Sequence, residues 1–176
     1  EEKTDLTRMR GPRMVPAPGN RRDEFFTTET SVENGSRFTR VTVRTKDRTL
    51  TSTCRRDPQV DTVWEIEHLL KDVDDLKAYL SLPDEVFDED ADVSELLPED
   101  ALVGDRGMVM ISTADPICLA AALFSLDTYI LIAFSEPELF HALLEKLSRP
   151  LYKTTEQVAK QCPGFLWRVC GPEYAT

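Results

Sequence analysis

The sequence predicts an α/β protein, with an antiparallel β-meander followed by strands and helices of the kind that build a parallel sheet. Three observations carry this. Residues 25–55 alternate polar and apolar side chains around Asn34-Gly35, a dipeptide suited to the two-residue hairpin turn, whose two central positions need positive φ. The apolar run Met108–Ile111 leads into Asp115-Pro116, a helix cap followed by a residue preset for the first helical position. A long amphipathic stretch then ends at Pro163-Gly164 and delivers a second apolar run, Phe165–Val169.

The elements follow in order. Residues 1–24 carry Arg8, Arg10, Arg13, Arg21 and Arg22 among prolines and glycines, a composition that reads as a loosely packed basic arm, with a basic lip over an anionic ligand as the second reading. Residues 25–70 form the meander, with strands at Phe26–Glu33, Arg37–Thr45 and Arg48–Cys54, a second turn around Lys46-Asp47, and a further extended piece at Thr62–Glu67. Residues 71–107 begin with a helix capped by Asp72, with Val73, Leu76, Tyr79 and Leu80 on one face and Pro83 as its stop. The acidic run from Asp84 to Asp105 reads as a solvated surface with a short helix or two, since it lacks the Gly and terminal Glu of a calcium loop.

Residues 108–176 are the βα portion. Ala120, Ala121 and Ala122 keep the helix after Pro116 slim, a second helix starts near Asp127, and Ser135 with Glu138 forms a capping box for a third. Leu139, Leu143 and Leu147, with Phe140 and Leu144, make its apolar stripe; Pro150 is expected to kink or interrupt it before it resumes through Thr154–Lys160. Two parallel strands do not make a stable sheet with both faces covered, so the chain reads as part of a larger α/β protein.

Composition excludes several classes of function. Hydrophobic residues at 41% and charged residues at 30% suit a folded domain, and a net charge of −11 repels phosphate backbones, so nucleic acid is not an expected partner. No apolar run approaches the ~20 residues that span a bilayer, so a membrane is not expected either. Cys54, Cys118, Cys162 and Cys170 form no C-x-x-C pair and read as free thiols of a reducing, cytoplasmic compartment. His68 and His141 lack partners at ligand spacing, so no metal is expected within this chain.

The segments "WEIEHLLKDVDDLKAYLSLP", "GMVMISTADPICLAAALFSLDTYILIAFSEPELFHALLEKL" and "GFLWRVCGPEYAT", in this order after a meander, resemble the uroporphyrinogen decarboxylase family, which includes the related corrinoid-dependent methyltransferases. The likeness covers roughly Phe38 to Thr176. It implies a (β/α)8 TIM barrel, of which this chain would be an N-terminal-side portion, with the site at the carboxyl ends of the strands. It implies substrate contacts at Ser112 and Asp115 after the first strand, and at Glu173 and Tyr174 after the second. No catalytic residue is assigned. Ala122 stands where the decarboxylases carry a tyrosine, which points to a divergent member or a methyltransferase-type enzyme rather than a true uroporphyrinogen decarboxylase. For a methyltransferase the resemblance implies zinc, held by His and Cys residues of a later half of the protein, and a corrinoid protein as partner. The alternative is a non-catalytic ligand-binding or assembly protein. Either way a small-molecule substrate is expected, and the meander could mediate a homodimer.

Overall fold

The computed structural model describes residues 6–170. Strands β1 (Leu6–Arg10) and β2 (Arg13–Pro16) come first, then the single helical turn α1 (Arg22–Phe25). The meander is β3 (Phe26–Glu33), β4 (Ser36–Arg44), β5 (Thr49–Arg56) and β6 (Val63–Glu67). Helix α2 (Val73–Leu80), a 3-10 turn at Asp84–Phe87, β7 (Glu89–Asp92), α3 (Leu96–Val103) and a second 3-10 turn at Gly104–Arg106 lead to β8 (Gly107–Ala114). The last elements are α4 (Pro116–Ala121), α5 (Leu126–Ser135), α6 (Pro137–Gln161) and β9 (Leu166–Cys170). They fall into two units. One gathers Arg21–Phe87 with Ala120–Lys146; the other gathers the chain up to Asn20, Asp88–Leu119 and the chain from Leu147.

The meander unit is built by its turns. Asn34 has φ 50° and Gly35 φ 83°, so both central residues take the left-handed conformation whose twist matches the flanking strands. This two-residue turn sets Glu33 opposite Ser36, and every later pair of β3 and β4 follows. At the next turn the Thr45 N–H donates to the Arg48 carbonyl at 2.8 Å, and β4 pairs with β5 from Arg44↔Thr49 to Arg37↔Arg56. Val43 and Leu50, paired across these strands, are both buried. The Asp72 side chain accepts from the Asp75 N–H at 2.7 Å, capping α2, and Arg48 bonds Asp72 at 2.9 Å and also Asp75. Carboxylates are favourable at a helix N-terminus, and here they also anchor the meander turn to the helix. Aromatic edges complete this core: Tyr79 lies 5.3 Å from Phe87, and Tyr129 lies 5.4 Å from Phe140.

The other unit holds a parallel sheet in the order β1-β8-β9 and an antiparallel pair, β2 with β7. Period-2 alternation divides β8: Val109 and Ile111 are buried, whereas Met108 on the other face is 49% exposed. Ile111 packs with Val93, Leu96, Val158 and Cys162, and Trp167 and Phe165 lie against the same cluster. The opposite face carries Met9 at 51% and Leu166 at 47% exposure.

Four expectations are corrected. The (β/α)8 barrel is not the architecture. The strands form three separate sheets, two of them antiparallel, and β1 reaches its parallel partner β8 only after the whole meander rather than through one helical crossover. From Leu6 onward the basic arm is not loose, because it supplies β1 and β2. The acidic run is not only a solvated surface, because it supplies β7. Helix α6 is continuous from Pro137 to Gln161 with Pro150 inside it. A proline removes one N–H and crowds one carbonyl, and the hydroxyl of Thr154, bonded to the Pro150 carbonyl at 3.0 Å, lies on the turn that follows.

The turn chemistry predicts a stability effect. A Cβ at Gly35 would lie 3.1 Å from Cγ of Pro58, and φ there is +83°. Gly35→Ala is expected to destabilise the protein by about 1–2 kcal/mol from the left-handed conformation alone, read as a lower midpoint in urea unfolding with the slope unchanged.

Candidate functional site

The parallel strands end at one rim. β1 stops at Arg10 opposite Ile111, and β8 continues past it through Ser112, Thr113 and Ala114, which pair with Arg168, Val169 and Cys170 of β9. Gly11 follows β1 closely enough that a Cβ there would sit 3.7 Å from the Ser112 carbonyl oxygen, an ordinary contact. Ser112 and Asp115 are both half-buried, so the structure brings these two predicted residues to the same strand end. One oxygen of Asp115 is committed: it accepts from the Cys118 N–H at 2.7 Å and caps α4. Glu173 and Tyr174 lie outside the described residues.

The arginines of the first segment are engaged elsewhere. Arg8 donates to Glu99 at 2.6 Å and Arg10 to the other Glu99 oxygen at 3.3 Å, which holds the Glu99 carboxyl below the usual carboxylate range, chiefly through the Arg8 bond. Arg13 pairs with Asp92. A basic lip over a ligand is therefore not formed by these three side chains. Among the described residues no three His, Cys, Asp or Glu side chains converge so as to hold a metal ion.

A second feature lies on the meander, where sequence reading placed no site. Arg37, Thr39, Cys54, Arg55, Arg56 and Val63 line a surface hollow of about 160 Å³. Arg37 stands directly opposite Arg56, Thr39 opposite Cys54, and Arg56 opposite Val63. Like charges directly opposed across a strand pair are destabilising. Arg56 is partly compensated, bonding the Val60 carbonyl at 3.2 Å and Asp61 at 2.7 Å. Burial pushes the Cys54 thiol up, with Glu65 adding to it, so the sulfur is held as a neutral S–H group. The signal was present in the sequence. Once Asn34-Gly35 and the turn after Thr45 are placed, counting along alternating positions puts Arg37 opposite Arg56.

Beside the hollow, β5 and β6 lose register between Thr53 and Cys54, and a carboxylate clamps the strands past this slip. Glu67 accepts from the hydroxyls of Thr51 at 2.6 Å and Thr53 at 2.8 Å, and lies 3.0 Å from the Lys71 ammonium.

No family model, no curated protein and no solved structure matches the chain. Among the described residues no helix is long and apolar enough to cross a membrane.

The Glu67 clamp makes stability pH-dependent. Its pKa falls from the ordinary 4.5 to about 2, first because the Thr51 hydroxyl donates to it, then through Lys71 and Thr53. A depressed folded-state pKa gives stability that is complete above the unfolded value of 4.5 and is lost as pH falls through about 2. Glu67→Gln is expected to lower the melting temperature near neutral pH and to flatten its decline across that acid window. A wild-type and variant pair of melting curves that stay parallel from pH 5 down to pH 2 would remove the clamp.

Proposed function

We propose that the chain is a ligand-binding α/β protein of the uroporphyrinogen decarboxylase and corrinoid-dependent methyltransferase kind, with its small-molecule substrate against the carboxyl ends of β1, β8 and β9. The observation that supports this is that three adjacent parallel strands end on one side, with Ser112 past the end of β1, Asp115 past the end of β8, and both half-buried. In α/β sheets, closed or open, ligands bind outside the carboxyl ends of parallel strands, so the reading does not require a barrel.

The residues of this chain would bind and orient rather than react. The Ser112 hydroxyl and the Asp115 carboxylate are polar groups at the edge of an apolar sheet, the pattern of a site with a few orienting contacts. Asp115 also fixes the chain direction after β8 by capping α4. A carboxylate at the rim suits a cationic or hydroxyl-bearing ligand better than a tetrapyrrole with many carboxylates of its own. Together with Ala122 at the tyrosine position of the decarboxylases, this favours the methyltransferase-type member of the pair.

Methylcobalamin and uroporphyrinogen are the probes for this reading, followed by tryptophan fluorescence. One of them is expected to bind saturably, and Ser112→Leu, which places a bulky side chain at the strand end, is expected to weaken that binding about tenfold, a difference of about 1.4 kcal/mol. Binding of neither probe, or equal affinity in the variant, would withdraw the rim as the substrate site.

A further inference from the structure

We propose that the hollow on the meander is a binding site for a small oxyanion, a carboxylate or phosphate group received between Arg37 and Arg56. The site is distinct from the strand-end rim and does not depend on its function. Three observations converge on it.

The first is the opposed arginine pair. The turn-fixed register places Arg37 and Arg56 side by side on one sheet face, and the cost of that repulsion is removed by an anion lying between them. The second is the uneven compensation. Arg56 has Asp61 and the Val60 carbonyl, whereas Arg37 has no ion-pair partner among the described residues. Its planar fork of donors remains available for bidentate contact with a carboxylate or phosphate.

The third is the lining between and beneath them. Thr39 offers a hydroxyl, Cys54 an S–H group rather than a repelling thiolate, and Val63 an apolar wall. A hollow of about 160 Å³ is well below the range of roughly 300–1,000 Å³ typical of sites for drug-sized ligands, so it takes one charged group rather than a whole cofactor.

The test is calorimetric titration of the whole chain with inorganic phosphate and, in a separate arm, acetate, at constant ionic strength set by chloride. Saturable binding of at least one is expected, with Arg37→Gln weakening it about tenfold or more, the loss of a charge-assisted contact. Arg40→Gln, on the other face of β4, is expected to leave the affinity unchanged. A second readout needs no binding signal. In chloride alone Arg37→Gln is expected to melt higher than wild type, because the opposed charges are relieved, and phosphate or acetate is expected to raise the melting temperature of wild type but not of the variant. No binding of either anion, or equal weakening by Arg37→Gln and Arg40→Gln, overturns the proposal. So does a variant that melts no higher than wild type in chloride.

Discussion

The position of β8 is the constraint on which its unit depends. It is the middle strand of the parallel sheet, so its backbone is paired on both edges, with β1 on one side and β9 on the other. Its inward residues, Val109 and Ile111, are almost fully buried, and Ile111 is shared by the segment after β7, by α3 and by the end of α6. A slip of one residue would exchange the buried Val109 and Ile111 for Met108 and Met110 and dismantle that cluster. The same register fixes where Ser112 to Asp115 emerge. The candidate rim is thus a consequence of core packing, and its geometry is only as secure as Ile111.

Charge gives this unit a second layer of order. The acidic stretch from Asp84 to Asp105 is where basic and amide side chains find partners. Glu99 takes Arg8 and Arg10, Asp92 takes Arg13, and Asp90 takes Lys153 at 3.0 Å and the Gln157 amide at 2.7 Å. Each exposed pair contributes little by itself. Their value lies in direction, since they join β1, β2 and α6 to the carboxylates of that segment, beside the contacts that Val93 and Leu96 make in the core. Gln157 also accepts from the Ala91 N–H at 2.8 Å, so a short strand of sequence EDAD is held by a side chain of α6 as well as by β2.

What was legible in the sequence is what local chemistry decides. The Asn34-Gly35 turn, the Asp72 cap, Pro116 at the start of α4 and the meander strands all follow from residues within a few positions of one another, and the structure places them there. What was not legible is long-range. Arg8 and Arg10 do not look like strand residues until Glu99 is brought beside them, and no short window contains both. The segment EDAD shows no β-propensity, so β7 depends on partners at positions 13–16 and 157. The barrel was inferred from segments that resemble a family, and segments do not determine how strands are assembled into sheets. At the rim, Ser112 and Asp115 were expected from the family resemblance, as residues that follow the apolar run Met108–Ile111. The hollow between Arg37 and Arg56 was passed over because its residues come from three strands, although the turns fix their pairing.

The separation between paired strands has a consequence for the order of assembly. The four meander strands join neighbours in sequence, through connections of a few residues. β1 must instead meet β8 with Leu6 beside Gly107, closing a loop that contains the entire meander. Loop closure of that length loses chain entropy before any contact compensates it, and non-local pairing is the slow part of folding. The expectation is a meander that can form while the chain is still largely open and a first strand that docks late, so that the rim, which needs β1 in place, is among the last features of the molecule to exist.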